Sequence, residues 1–457
     1  MAVASTYSTY QPLRSRWVPR VPEHWSLLRA KNFLQEIDDR SKTGEETLLS
    51  MRKHCGLVPH NDVSIKRTNP KNLIGYKKVQ PDELVLNRMQ AGNAMFFHNY
   101  LSGLVSPDYA VFRLLRDDNP EYLGYLFRSW PICGLFRSES KGIGTGFLRL
   151  YWDRFAALEI PLPPLPEQDQ IVAYLRAQDV HIARFIKAKR DLISLLIEQK
   201  LRIIDHAVTR GLDASVALKP SGIEWLGDVP VNWEVRRLKF LASNTTSQTT
   251  TKARDEIYLA MEHVQSWTGV ARPLEGEVEF ASTVKRFVVD DVLFGKLRPY
   301  LAKVTRAKCN GVCVSEFLVL RSRKEFILPA YLEQMLRCKR VIDLINSSTA
   351  GAKMPRADWI FIGNVRLPVP CKDVQEAILS HIESETKDLG EAITRTEDEI
   401  KLIREYRDRL ITDVVTGQVD VRGWQPGPED VVEDAVLATL GDDQEEMTEQ
   451  EDDDDED

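Results

Sequence analysis

Seven cationic side chains occupy positions from which they could bind an anion or the edge of a nucleic-acid base. They are Arg88, Lys141, Arg149, Lys296, Arg298, Lys353 and Arg356. Arg88 aligns with Lys296 at the end of a predicted strand, and Arg149 aligns with Arg356 in a glycine-containing loop. Arg and Lys are the side chains that most often bind phosphate oxygens and guanine edges. The alternative for each residue is a charge on a solvated loop.

Sequence motifs for catalysis are missing. There is no Gly-x4-Gly-Lys-Ser/Thr loop for ATP, and NPKN (69–72) is not the Asn-Pro-Pro-Tyr-type tetrapeptide of an adenine methyltransferase. HCGLVPH (54–60) and CNGVC (309–313) could hold zinc only if a second pair of ligands converged on either of them. We therefore expect this chain to contain no catalytic residue, no metal site and no cofactor.

Arg88 aligns with Lys296, and Arg149 with Arg356, because the chain contains an internal sequence repeat. Trp17 and Trp225 are separated by 208 residues, as are VPEHW (21–25) and VPVNW (229–233). An offset of 207 relates RIIDHAVTRGLD (202–213) to RLITDVVTGQVD (409–420). Two tandem copies therefore cover nearly the whole chain before its acidic end, and two copies favour a pseudo-twofold arrangement over a solenoid.

Each copy divides into a globular part and a helical part. Short alternating apolar runs bounded by Gly, Pro, Asn and Asp predict mixed α/β domains over residues 14–160 and 222–367. Helical regions are predicted at 161–213 and 368–420. Each opens with a proline-rich stop, is free of proline beyond it, and should end near Gly211 or Gly417. The predicted class is α+β, with two mixed domains in tandem separated by two long helices.

Apolar residues spaced by three and four positions give each predicted helix one apolar stripe. The stripe residues are Ile171, Leu175, Ile182, Leu192 and Leu196 in the first helix and Ile378, Ile382, Leu389, Ile403 and Leu410 in the second. Helices of about 40 residues reach roughly 60 Å and need a partner along that length. We expect the two helices to pack on each other as an antiparallel coiled coil.

Charge is distributed unevenly along the chain. The formal net charge is -7, but residues 425–457 contain 16 carboxylates and no Lys or Arg, so the first 424 residues carry +9, which is -7 plus 16. Such a segment cannot bury apolar surface, and we expect 425–457 to be a disordered tail. The lack of a long apolar run and the six scattered cysteines favour a cytoplasmic protein that does not span a membrane.

The order of these elements resembles the specificity subunits of type I restriction-modification systems. Four segments together carry the resemblance: IPLPPLPEQDQIVAYL (160–175), HAVTRGLD (206–213), SGIEWLGDVPVNWEVRRLK (221–239) and RLITDVVTGQVDVRGW (409–424). The resemblance spans about residues 14–424, and the acidic tail has no counterpart in the family pattern.

The resemblance implies that this chain supplies only the DNA sequence specificity and that partner subunits supply the catalysis. Each mixed domain would be a target-recognition domain for one half of a bipartite double-stranded DNA target. The helices would hold the halves apart and dock two modification subunits. Those partners would methylate adenine with S-adenosylmethionine, and restriction subunits would add ATP- and Mg²⁺-dependent translocation and cleavage. The seven cations would then be DNA contacts.

The charge of the two domains agrees with DNA binding. Residues 40–150 contain 16 Lys and Arg against 10 Asp and Glu, and residues 243–357 contain 18 against 12, so each region is +6. Two alternatives remain at this point. One is a coiled-coil scaffold for protein partners without DNA specificity, and the other is a nuclease or methyltransferase that acts alone.

Overall fold

The chain forms two compact units, and each contains parts of both long helices. The computed structural model describes residues 6–13, 16–53, 55–64, 69–142, 148–274, 283–349 and 354–430. The first unit combines Met1–Lys189 with Glu399–Asp457, and the second is Arg190–Asp398. The boundaries between units thus fall inside the helical regions, whereas the sequence repeat divides the chain at the ends of the helices.

The first mixed domain is built from short strands and short helices. Its strands are β1 (Tyr10–Pro12), β2 (Arg20–Pro22), β3 (Ser26–Arg29), β4 (Leu34–Ile37), β5 (Leu49–Arg52), β6 (Gly56–Pro59), β7 (Lys77–Val79), β8 (Leu84–Asn87), β9 (Phe96–His98), β10 (Gly103–Val105), β11 (Tyr109–Leu114), β12 (Lys141–Gly142), β13 (Leu148–Arg149) and β14 (Glu159–Leu162). Its helices are α1 (His60–Val63), α2 (Pro120–Arg128), α3 (Trp130–Glu139) and α4 (Trp152–Ala157).

An antiparallel sheet in the order β4-β11-β8-β9 organises this domain. All four residues of β8 are buried, since one face packs on the helices and the other on the β5-β6 hairpin and its neighbours. Phe96 stacks on Phe127 with ring centroids 4.6 Å apart, and Phe155 meets both rings edge to face. This aromatic cluster fixes the helices against the sheet.

The second mixed domain repeats this plan. Its strands are β15 (Leu218–Pro220), β16 (Asp228–Pro230), β17 (Glu234–Arg237), β18 (Ala242–Thr245), β19 (Gln248–Thr249), β20 (Ile257–Leu259), β21 (Val284–Phe287), β22 (Val292–Gly295), β23 (Val304–Arg306), β24 (Gly311–Cys313), β25 (Phe317–Ser322) and β26 (Arg366–Val369). Its helices are α6 (Leu238–Leu241), α7 (Pro329–Arg337), α8 (Lys339–Ser347) and α9 (Trp359–Ile362). The sheet order β18-β25-β22-β23 matches that of the first domain.

Two long helices follow the mixed domains, as the sequence predicts. Helix α5 spans Leu165–Arg210 and helix α10 spans Lys372–Val415. Gly211 and Gly417 follow their ends with φ of 77° and 72°, the left-handed conformation in which glycine is favoured at a helix C-terminus. In the described part of the chain, neither helix nor any other is long and apolar enough to cross a bilayer.

Within the first unit, the start of α5 packs antiparallel against the end of α10. Ile171 and Leu175 share a core with Leu410, and Lys189 pairs with Glu399 at 2.6 Å. Higher residue numbers on α5 therefore lie opposite lower residue numbers on α10, which is the antiparallel order. Ile182 is also buried, whereas Ile403 is half-buried.

Within the second unit, the end of α5 packs against the start of α10 in the same sense. Ile378 and Ile382 share a core with Ile204. Leu196 and Leu389 are half-buried, so they contribute less apolar contact than the predicted stripe requires. Leu192 departs from the prediction, because its side chain is 39% exposed. The stripe therefore weakens near the middle of α5.

Candidate nucleic-acid interface

Three of the predicted cations lie on adjoining backbone segments of the first mixed domain. The backbone N–H of Leu150 donates to the carbonyl oxygen of Arg88 at 3.0 Å, which joins the segment after β13 to the end of β8. Lys141 and Arg149 are directly opposite each other in the β12-β13 hairpin. Two like charges at opposed positions repel each other unless an anionic group lies beside them.

Each arginine of this group contacts a carboxylate. Nη2 of Arg149 donates to Oδ1 of Asp108 at 3.3 Å, and the two side chains are 38% and 57% exposed. Arg88 instead points into the domain, where its guanidinium pairs with Glu36 on β4. Arg149 and Lys141 are therefore presented to solvent, while most of the Arg88 side chain is covered.

The second mixed domain presents an equivalent group. The N–H of Ala357 donates to the carbonyl oxygen of Lys296 at 2.9 Å, and Leu297 and Arg356 form an antiparallel bridge. Arg298 has left-handed backbone angles, with φ 49°, and its N–H donates to Pro355 O at 2.8 Å. Strain of this kind in a non-glycine residue is often found at functional sites.

Arg356 completes this second group in the same way as Arg149 completes the first. Its Nη2 donates to Oε1 of Glu316 at 3.1 Å, and Glu316 lies 208 positions after Asp108. Lys353 lies outside the described residues. The structure thus brings Lys296, Arg298 and Arg356 together in one domain and Arg88, Lys141 and Arg149 in the other.

Behind each group lies a lysine that sequence reasoning missed. Nζ of Lys77 donates to Tyr109 O at 2.8 Å, and Nζ of Lys285 donates to Ser315 O at 3.0 Å and Phe317 O at 2.7 Å. Burial lowers the pKa of both ammonium groups below the usual lysine range. The available signal was the constant offset, since 77 and 285 are 208 apart, like Asp108 and Glu316.

No group of three or more His, Cys, Asp or Glu side chains within the described ranges could hold a metal ion. His54 of the HCGLVPH motif lies outside those ranges. Of the CNGVC cysteines, Cys313 is buried, and desolvation raises the pKa of its thiol to about 12.

Comparison with known proteins identifies a domain and several relatives. Residues 50–194 match the Type I restriction modification DNA specificity domain. The chain is 24% identical over 161 residues to the Type I restriction enzyme EcoDI specificity subunit of Escherichia coli, covering 35% of this chain and 36% of that relative. It is 26% identical over 227 residues to the Type I restriction enzyme MjaVIII specificity subunit of Methanocaldococcus jannaschii, covering 48% and 49%. The chain therefore spans about a third and about half of the length of these two relatives.

A solved structure shares the fold. It comes from work on the complex assembly and conformational transition of the type I R-M system, and one of its chains aligns with a TM-score of 0.53 at 15% identity. The alignment covers 86% of this chain and 98% of that chain. The mixed domains and the long helix pair are therefore a recurring architecture.

Proposed function

We propose that this chain is the subunit that gives a type I restriction-modification system its DNA sequence preference, because residues 50–194 match the DNA specificity domain of such systems. Each mixed domain reads one half of a bipartite duplex target. The observation that carries this proposal is the recurrence of one arrangement in both domains, with Arg149 beside Asp108 and Arg356 beside Glu316.

Duplex DNA suits these surfaces for an electrostatic reason. Cations at a strand end and on the adjoining loop can bind phosphates, which supply affinity, and base edges, which supply preference. An arginine with two free N–H groups can bind O6 and N7 of guanine at the same time. The exposed Arg149 and Arg356 are better placed for this role than Arg88, whose side chain is committed to Glu36.

Partner subunits supply the chemistry in this proposal. Two modification subunits dock on the helices and use S-adenosylmethionine, while restriction subunits use ATP and Mg²⁺, and this chain binds no cofactor and works in the cytoplasm. Large apolar side chains stay exposed on the helices, including Leu195 on α5 and Leu402 and Tyr406 on α10. Exposed apolar surface of this kind is typical of a protein interface.

Domain exchange tests the reading function. The chain is expressed with its modification subunits in a host without methylation, once unchanged and once with residues 40–150 replaced by the equivalent region of a relative. Methylome sequencing should then show a bipartite target in which the exchange alters one half only. A change in both halves, or no sequence preference in the unchanged complex, would contradict the proposal.

A separate measurement tests the division of labour. The purified chain is incubated with duplex DNA, Mg²⁺ and S-adenosylmethionine, and strand breaks and methyl transfer are measured. We expect neither product until the modification subunits are added, when methyl transfer begins. Cleavage or methylation by the chain alone would favour an enzyme.

A further inference from the structure

Each exposed arginine shares its surface with a carboxylate at the same position of the repeat. Asp108 immediately precedes β11, and Glu316 immediately precedes β25. Ion pairs between exposed side chains add little to stability, because water screens them and the side chains lose conformational freedom. The side chain of Asp108 is 57% exposed, so folding gives no strong reason for its charge on this surface. Glu316 is 21% exposed, but its partner Arg356 is 58% exposed, so water also screens the second pair.

The backbone that carries each carboxylate is held from behind by a buried lysine. Lys77 donates to the carbonyl oxygen of the residue after Asp108. Lys285 donates to the carbonyl oxygens on both sides of Glu316. Burying an ammonium group is costly unless it forms hydrogen bonds, so these two lysines fix the backbone that places the carboxylate.

The loop that carries each arginine is tied to the same place. Leu150 and Ala357 donate their N–H groups to the carbonyl oxygens of Arg88 and Lys296, which end the neighbouring strand or follow it directly. Carboxylate and arginine are thus anchored separately before they meet. The backbone on both sides of the contact is therefore held in place in each domain.

We propose that Asp108 and Glu316 are specificity-determining residues, which aim Arg149 and Arg356 at base edges and repel the phosphates of the wrong sequence. Each carboxylate occupies one N–H of the guanidinium and leaves the others for the base. Its own charge disfavours a pose in which the arginine contacts only phosphate, which is how non-specific binding arises. This proposal rests on the proposed DNA-reading function, and in it the two carboxylates increase the discrimination between target and random DNA.

The test compares carboxylate variants with matched controls in the complex with modification subunits. Asp108→Asn and Glu316→Gln remove the proposed charges. Asp117→Asn and Glu325→Gln remove an exposed carboxylate just beyond the other end of the same strand in each domain, also 208 positions apart. Affinity for target and random duplexes is measured at several salt concentrations, and thermal unfolding checks the fold.

Asp108→Asn should bind random duplex roughly 3- to 10-fold more tightly at low salt. The substitution removes one negative charge that repels DNA phosphates, and binding to random duplex depends mainly on phosphate electrostatics. The ratio of target to random affinity should fall by roughly fivefold or more, which corresponds to the loss of one aimed base contact. The methylome should relax in one half of the target for Asp108→Asn and in the other half for Glu316→Gln. Asp108→Glu should retain discrimination, because the second domain already uses Glu.

Two outcomes overturn the inference: carboxylate variants that match their controls in the affinity ratio, or a single variant that relaxes both halves. Both outcomes presuppose that the unchanged complex reads a bipartite target. If the unchanged complex has no sequence preference, the proposed function fails first. The unchanged complex therefore separates the two failures.

Discussion

A buried ion pair joins the long helices inside the first unit, and its removal gives a sharp test of their packing. Asp179 on α5 accepts hydrogen bonds from Nε and Nη2 of Arg407 on α10 at 2.6 and 2.9 Å, and a third from the hydroxyl of Tyr125 at 3.3 Å. Asp179 is 5% exposed. Asp179→Ala would leave the guanidinium and the hydroxyl without this acceptor in a poorly hydrated site.

The structure sets the magnitude of the expected loss. Removing one partner of a buried ion pair costs about 3–5 kcal/mol, because the remaining charge is stranded. The side chain of Arg407 is 27% exposed, so water partly solvates it. We therefore expect the lower end, about 3 kcal/mol of local opening free energy.

Hydrogen exchange measured by mass spectrometry reports this loss locally. Amides in 171–189 and 399–415 should exchange roughly 100-fold faster in Asp179→Ala, since each 1.4 kcal/mol changes an equilibrium about tenfold. Glu198→Ala is the control, because Glu198 lies on the same helix in an exposed pair with Arg202 and should change exchange by about twofold or less. If Asp179→Ala exchanges like the control, the pair does not hold the helices together.

Three further predictions concern other contacts. Tyr122→Phe and Tyr331→Phe should each lower the stability of their own unit by about 1 kcal/mol in urea unfolding, because each hydroxyl donates to a buried helix-end carbonyl, that of Val415 or Val208. Burial, opposed by the nearby Asp82, lowers the pKa of His98 below 6.5, so the unfolded chain binds more protons just below that pH. The first unit should therefore lose stability as the pH falls from 6.5 through the folded-state pKa, and His98→Gln should abolish this slope. Inserting four residues after Leu195 should increase the number of base pairs between the two recognised halves of the DNA target, as determined by methylome sequencing. An unchanged number would refute the idea that the helices set the distance between the halves.

Local sequence patterns predicted the positions of the helices and strands better than the tertiary contacts that these elements make. Apolar spacing and Gly211 were sufficient to place the end of α5, because a helix terminates where its local pattern stops. The same spacing did not reveal that Leu192 is exposed, since the burial of a stripe depends on what covers it. The division of each helix between two units was equally invisible, because contacts between distant segments leave no local periodicity.

The candidate surface shows the same limit. The offset of 208 paired Arg88 with Lys296, yet it could not show that Arg88 turns inward to Glu36, which lies 52 residues earlier and on another strand. The same offset aligns Asp108 with Glu316, but two aligned carboxylates do not by themselves indicate a contact with Arg149 and Arg356. Conserved spacing identifies equivalent positions, whereas the direction of a side chain is set by tertiary contacts.

The hydroxyl bonds of Tyr122 and Tyr331 have a consequence for ancestry. Tyr122 belongs to the first repeat and contacts the helix end of the second, while Tyr331 belongs to the second and contacts the helix end of the first. A gene encoding one repeat would give a polypeptide whose tyrosine lacks its acceptor. Two identical short polypeptides that lend each other their helix ends would satisfy both bonds, so the arrangement is that of a homodimer fused into a single gene.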